Sequence, residues 1–188
     1  MKRRHALMIV AVVAWSGSWA LAQSNAPQED FTAVAIASDE FGSGAGAVLM
    51  RVTRWSSEAE RTRLVDTLQK KGSSALLDEL SDARPVGTIR TPDSLAYDLR
   101  YAHQTATEDG GRRIVLATDR PISFWETVNR PRTIDYPFTV IQMQIGADGR
   151  GKGTMSYAAK IRVAGKVIEL ENFSTAPIML TDIKAEKR

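Results

Sequence analysis

Apolar and polar residues alternate along most of the chain after Pro85, and this period of two constrains the fold more than any other feature. Such a period is typical of half-buried β-strands, in which successive side chains point to opposite faces of a sheet. In residues 94–106, one predicted face holds Leu95, Tyr97, Leu99 and Tyr101, and the other holds Asp98 and Arg100. The connections between the later segments are too short for the crossover that parallel strands need, so the sequence predicts an antiparallel sheet.

Nine segments have the composition of strands, which predicts a sheet of about eight or nine strands. They are residues 31–37, 46–54, 85–91, 94–106, 112–120, 136–145, 151–163, 166–173 and 176–184. The last four are predicted to form an antiparallel meander. Strands in this number beside one helical region indicate the α+β class, mainly antiparallel β. We expect a strongly curved sheet or partly closed barrel, with one helical hairpin packed on it.

The helical hairpin is predicted after the second strand. Ser57 and Glu60 match a capping box, in which the serine side chain accepts the N3 amide proton and the glutamate bonds back to the cap. Gly72 is predicted to end the first helix, and Ser73 or Ser74 to begin a second, shorter one. The leucines of both helices are predicted to face the core rather than a partner groove.

Residues 1–22 have the three-part layout of a secretory signal peptide. The start is basic, residues 6–14 are apolar, and residues 20–22 read Ala-Leu-Ala, which matches a cleavage site. The apolar run is about half of the roughly 20 residues that span a bilayer, so a retained anchor is the weaker interpretation. We therefore expect cleavage before Gln23, no membrane span in the mature protein, and a periplasmic or extracellular location.

The mature chain is predicted to consist of a disordered lead-in at residues 23–30 and a single α+β domain at residues 31–188. Residues 1–22 hold three of the 25 Lys and Arg residues and none of the 22 Asp and Glu residues, so the mature chain has 22 of each. This balance argues against nucleic acid as a partner, since phosphate backbones are bound by an excess of basic residues. The chain has no cysteine, which excludes disulfides, thiolate metal sites and cysteine nucleophiles.

Two glycine-rich segments resemble phosphate-binding loops in composition only. Residues 42–46 read GSGAG, and residues 146–153 read GADGRGKG. A nucleotide-binding loop must lead from a strand into a helix, whose N-terminus holds the phosphate. Both segments lead into predicted strands instead, so we interpret them as strand connections and predict no cofactor.

His103 is the one candidate for general acid–base catalysis, because it is the only histidine of the mature chain. Any Ser-His-Asp arrangement would have to use it, but no nucleophile-elbow sequence accompanies it. A single histidine also argues against a histidine-based metal site, and no D-x-D-x-D-G calcium loop is present. We predict no metal site, and we keep His103 only as a weak catalytic candidate.

The segment between the predicted strands 112–120 and 136–145 is rich in arginine, proline and aromatic residues. Its candidate ligand-binding residues are Arg120, Phe124, Trp125, Arg130, Arg132 and Tyr136. Arginine reads an anionic group and aromatic rings supply apolar area at the mouth of a pocket. In the alternative that we favour, Phe124 and Trp125 plug one end of the barrel and the arginines pair with nearby acidic residues.

Three segments carry a resemblance to known proteins: residues 119–126 (DRPISFWE), 135–139 (DYPFT) and 169–173 (ELENF). With them, the chain resembles uncharacterised exported bacterial proteins of a domain-of-unknown-function type, over roughly residues 31–184. The resemblance implies a bacterial, exported, single-domain protein. It implies no activity and no catalytic residue.

The leading hypothesis is a non-enzymatic periplasmic or secreted module that binds a small molecule or an envelope protein. Two alternatives stay open. One is a small hydrolase that uses His103 with an acidic partner. The other is a structural or interaction protein that pairs through an exposed sheet edge, for which the final predicted strand, 176–184, is the first candidate.

Overall fold

A computed structural model describes residues 28–39, 42–122, 137–164, 167–172 and 177–187. The predicted signal peptide at residues 1–22 and most of the predicted lead-in lie outside these ranges. The first strand begins at Glu29, so the last two residues of the predicted lead-in belong to the sheet.

The described residues form ten strands and one interrupted helix, which confirms the α+β class. In chain order the elements are β1 (Glu29–Asp39), β2 (Gly42–Val52), α1 (Glu58–Asp82), β3 (Gly87–Arg90), β4 (Tyr97–Leu99), β5 (Tyr101–Ala106), β6 (Arg112–Ala117), β7 (Phe138–Ile145), β8 (Arg150–Ala164), β9 (Val167–Asn172) and β10 (Ile178–Lys187). The count differs from the predicted eight or nine because the segment 94–106 forms two strands, β4 and β5.

All strand pairs in the described sheet are antiparallel, as predicted. The order is β4-β3-β2-β1-β10-β8-β7-β6-β5, with β9 paired to β8 outside this path. The hydrogen-bonded path is open, with β4 and β5 at its two ends. The predicted meander of the last four strands is wrong at its final member, because β10 pairs with β1 and β8 rather than following β9.

The position of β10 also removes the final strand as a candidate edge. Met179 of β10 faces Ile36 of β1 on one side and Thr154 of β8 on the other. A strand paired along both sides has no free row of backbone groups for another chain.

The sheet is strongly bent, as a single ion pair demonstrates. Glu29 of β1 accepts a hydrogen bond of 2.7 Å from Arg112 of β6. The strands β10, β8 and β7 lie between β1 and β6 in the sheet. In a flat sheet four strand spacings of about 4.8 Å would hold β1 and β6 roughly 19 Å apart. Direct contact between side chains of these strands therefore requires the sheet to curl over its inner face.

The inner face is filled by one apolar core, to which most strands contribute. Its largest fully buried side chains include Phe31, Met50, Trp55, Leu99, Leu116, Met143 and Met155. A second apolar cluster lies on the outer face, where α1 covers β7 and β8. Its buried members are Leu64, Leu68, Leu76, Leu80, Phe138, Val140, Ala159 and Ile161. The leucines of α1 are thus core residues, as predicted.

The capping box predicted at Ser57 is confirmed, since Ser57 Oγ accepts the Glu60 amide at 3.2 Å and Glu60 accepts the Ser57 amide at 2.7 Å. The helix is interrupted at Gly72, whose φ of 84° is in the region that favours glycine. Arg63 and Glu79 form an ion pair of 2.5 Å across this interruption. Sixteen residues of straight helix would separate them by about 24 Å, so the two halves of α1 lie side by side as the predicted hairpin.

The shared face predicted for residues 95–101 is wrong, because the strand is interrupted at Arg100. Leu99 is buried in the inner core, whereas Tyr101 packs against the outer cluster beneath α1. Leu95 is 89% exposed. The interruption changes which face of the sheet the next side chains point to. The side chain of Arg100 donates a hydrogen bond of 2.9 Å to the carbonyl of Ala83, just after α1.

Candidate functional site

The arginine- and aromatic-rich segment is described only at its two ends. Of the six candidate ligand-binding residues, Phe124, Trp125, Arg130, Arg132 and Tyr136 lie outside the described residues. Arg120 is described: its side chain is 57% exposed and forms an ion pair of 3.3 Å with Asp119. This local pairing agrees with the alternative in which the arginines of the segment bind neighbouring acidic residues.

Two buried threonines hold the ends of this segment together. Thr139 Oγ1 accepts the Ile122 amide at 2.9 Å and is 2.8 Å from the carbonyl oxygen of Tyr157. Thr118 Oγ1 accepts the Thr139 amide at 3.2 Å. Both threonines are fully buried. The backbone on either side of the segment is therefore fixed to β7 and β8.

His103 lies on the outer face of β5, beneath the start of α1. Its ring stacks on Tyr101 with centroids 6.1 Å apart and an interplanar angle of 15°. Its Nδ1 is buried without a hydrogen-bond partner among the described residues. Burial, and next the positive charge of Arg61, lower the pKa of His103 from 6.5, although Glu58 opposes this shift. Burial likewise raises the pKa of Tyr101.

These surroundings suit a packed neutral imidazole better than a general base. A general base needs a pKa near the working pH and a hydrogen bond to the group whose proton it takes. Here the pKa is lowered and the buried ring nitrogen has no described partner. His103 is therefore packed between the sheet and α1.

We expect His103 to titrate below pH 6.5 in the folded protein, because burial disfavours the imidazolium. The unfolded chain then binds more protons near pH 6.5. This contribution to stability is fully present above that pH and is lost as the pH falls toward the folded pKa. Proton NMR of the His103 ring between pH 4 and 8 measures the midpoint, and His103→Gln serves as the assignment control. A midpoint at or above 6.5 would contradict the buried position.

Two clefts on the described surface are both open to solvent. One, of about 710 Å³, runs along α1 past Glu58, Arg63, Asp66 and Lys70. The other, of about 490 Å³, lies between the β5–β6 and β7–β8 turns and includes Asp109, Arg112, Asp148, Arg150 and Lys152. Each mixes both charge signs, and the described part of the chain holds no group of three or more acidic or histidine residues placed to bind a metal ion. The clefts therefore do not point to one ligand class.

A more distinctive feature is an apolar surface on the outer side of β1 and β10. Val34 is 36% exposed, Ile36 is 42% exposed and Met179 is 47% exposed. Ile36 lies opposite Met179 of β10 and opposite Ala45 of β2, and Val34 lies opposite Ala47. We call these five residues the apolar face. Grouped exposed apolar side chains mark interaction sites more often than scattered ones do.

The sequence of β1 already indicates the apolar face, although the strand prediction made no use of this pattern. Residues 31–37 read FTAVAIA, so apolar side chains occupy both faces of β1. The inner set is buried at Phe31, Ala33 and Ala35, which leaves Val34 and Ile36 without a described cover. An edge or surface strand with one solvated face would carry polar residues there.

No helix in the described part of the chain is both long and apolar enough to cross a membrane. Comparison with protein-family models, with curated proteins and with solved structures gives no significant match.

Proposed function

We propose that the protein is an exported, non-enzymatic binding module that recognises another protein through its apolar face. Export depends on the predicted signal peptide at residues 1–22, and the partner belongs to the compartment outside the inner membrane. The observation that carries the proposal is the adjacency of Val34, Ile36 and Met179, three large apolar side chains exposed together on neighbouring strands.

The packing of the interior favours binding on the outer surface over transport of a small molecule in an internal cavity. A carrier for a small apolar molecule needs an enclosed cavity of about 300 Å³ or more. The inner face instead holds side chains at most 2% exposed, including Phe31, Met50, Trp55, Met143 and Met155. Binding on the outer surface needs no such cavity.

We also propose that the bent sheet is a partly closed barrel, which gives the apolar face a rigid support. Residues 97–106 form β4, Arg100 and β5 in succession, and β4 and β5 are the two ends of the strand order. One chain segment therefore adjoins both ends of the hydrogen-bonded path. The contact between Glu29 and Arg112 across the inner face supports the same arrangement.

The proposal predicts position-dependent cross-linking in the cells that naturally produce the protein. A photoreactive phenylalanine at Met179 should give a discrete adduct, because this position is 47% exposed within the apolar face. The matched control is the same probe at Leu95, which is apolar and 89% exposed but lies outside the face. Mass spectrometry of the adduct identifies the partner. Equal adducts at both positions, or none at Met179, would contradict the proposal.

The hydrolase alternative stays a prediction that His103→Ala tests. Loss of a measured hydrolytic turnover in a folded variant would support it. We do not prefer it, because the lowered pKa and the stacking on Tyr101 fit a packing role.

A further inference from the structure

Three exposed cations lie next to the apolar face on the outer side of the sheet. Lys184 of β10 lies opposite Thr32 of β1, and Val34 is the next residue of β1 on the same side. Arg150 of β8 lies opposite Lys184. Lys152 follows Arg150 on the same side of β8, about 7 Å away along the strand. All three basic residues are exposed. We call Arg150, Lys152 and Lys184 the basic cluster.

The basic cluster places like charges against each other. Residues directly opposite in an antiparallel pair have Cβ atoms about 5 Å apart, and like charges at such positions destabilise a sheet. Lys184 and Arg150 form such a pair. In the described part of the chain, no acidic residue forms an ion pair with any of the three cations. Carboxylates supplied from outside the chain would therefore relieve an existing repulsion.

The acidic residues near the basic cluster give this surface a pattern of both charge signs. Asp148 is held in its own turn, where its carboxylate accepts the Arg150 amide at 3.0 Å. Asp182 and Glu186 lie on either side of Lys184 on β10, and both are exposed. Such a pattern suits a partner that places its charges at fixed positions, since electrostatic complementarity matches individual patches of opposite sign.

The apolar face by itself is too small for a stable protein interface, which uses roughly 20–30 residues on each side. A polar rim usually surrounds the apolar centre of such an interface. On the β2 side of the apolar face, Arg51 is already paired with Asp30 at 2.8 Å. On the β10 side, the basic cluster has no such pairing within the described residues. The basic cluster is therefore the part of the rim with the most to gain from a partner's charges.

We propose that the partner recognised by the apolar face is a protein with acidic residues beside its apolar contact residues, and that these carboxylates bind the basic cluster. Arginine binds a carboxylate through two parallel hydrogen bonds, and lysine binds it as a point charge. The inference rests on the proposed function, because it specifies the chemistry of the partner for the same surface.

The shape of the outer face favours a protein over an anionic membrane. The contact between Glu29 and Arg112 requires the sheet to curl over its inner face, so the outer face is convex. A flat bilayer would touch only a narrow part of this surface. Its anionic headgroups would also repel Asp182 and Glu186, which lie beside the cations. A protein can follow a curved surface and place carboxylates only opposite the cations.

Charge reversal in the basic cluster, combined with the photoreactive phenylalanine at Met179, tests the inference in the cells that produce the protein. Lys184→Glu and Arg150→Glu should each lower the yield of the protein adduct by about a factor of five or more, because like charges then meet across the interface. Neither substitution should lower the midpoint of thermal unfolding, since each replaces a like-charge pair with an opposite-charge pair. Loss of the adduct without loss of stability separates a contact with the partner from a folding defect.

The matched control is Arg113→Glu, which makes the same charge change on the outer side of β6. Arg113 is exposed, forms no ion pair within the described residues, and lies three strands from β10. This variant should keep the adduct. An adduct unchanged by both Lys184→Glu and Arg150→Glu, or lowered equally by Arg113→Glu, would overturn the inference and leave the proposed function standing.

Two further outcomes concern the nature of the partner. Absence of any adduct at Met179 in the otherwise unchanged protein would overturn the proposed function and this inference together. The purified protein should not float with vesicles of phosphatidylglycerol. Flotation that Lys184→Glu abolishes, or a lipid in the Met179 adduct, would overturn the inference in favour of an anionic membrane.

Discussion

Replacement of Glu29 by alanine should destabilise the protein by about 3–5 kcal/mol, the usual cost of removing one partner of a buried ion pair. The Glu29 side chain is 3% exposed, and the side chain of Arg112 is 20% exposed. Arg112 also donates to Gln104 at 2.9 Å and lies over the Phe31 ring, 5.9 Å from its centroid. Without Glu29, the guanidinium would keep its charge in a site that excludes most water. Urea unfolding followed by tryptophan fluorescence measures the loss.

The neighbouring residue of the same strand supplies a matched control. Asp30 pairs with Arg51 at 2.8 Å, but the Arg51 side chain is 51% exposed. Exposed pairs contribute about 0–1 kcal/mol, so Asp30→Ala should have a small effect. Similar losses for the two variants would mean that Glu29 does not bridge β1 and β6 across the inner face. Glu29→Met combined with Arg112→Leu should recover much of the stability, because no buried charge then lacks a partner.

Replacement of Gly87 by alanine should also cause a large loss of stability. A Cβ at this position would lie 1.9 Å from the carbonyl oxygen of Arg51 and 3.1 Å from the Cα of Val52. Both atoms belong to the backbone of β2, so a side-chain rotation cannot relieve the clash. Even ordinary overpacking of a core costs about 1–3 kcal/mol, and this clash should exceed that range. Thermal unfolding gives the change in midpoint.

Gly44→Ala is the corresponding control, because a Cβ there meets no atom within 4 Å. The same substitution should leave stability unchanged or raise it by about 0.4–1 kcal/mol, through the reduced entropy of the unfolded chain. Equal destabilisation at Gly44 and Gly87 would mean that glycine flexibility, rather than the close approach of β2 and β3, determines the effect.

Features set by neighbouring residues were predictable from the sequence. The capping box at Ser57 and the interruption at Gly72 each depend on a few consecutive residues, and both are confirmed. Strand periodicity located the ten described strands to within a few residues, apart from the division at Arg100. That division depends on two different neighbours, since β4 pairs with β3 while β5 pairs with β6.

Features set by distant residues were not predictable. Glu29 lies in a polar stretch that reads as a disordered lead-in, and its partner Arg112 is 83 residues away. The placement of β10 between β1 and β8 likewise depends on β8, which pairs with β10 through its first half and with β9 through its second. The local sequence around these residues predicts neither contact.

The candidate site residues predicted from the sequence do not belong to the apolar face that we propose as the binding surface. The sequence indicated His103 and six residues in or near the aromatic-rich segment as candidates. Of those six, only Arg120 is described. The sequence shows apolar residues on both sides of β1, but the exposed side is identified only by the burial of Phe31, Ala33 and Ala35. Alternation alone could not show which side of FTAVAIA faces solvent.

Native mass spectrometry of the protein purified gently from the cells that produce it tests the central claim most directly. Wild type, Ile36→Lys and His103→Ala are compared in parallel. The account predicts that wild type and His103→Ala retain a bound protein partner and that Ile36→Lys loses it. An unliganded wild-type chain, or a partner retained by Ile36→Lys and lost by His103→Ala, would contradict binding through the apolar face.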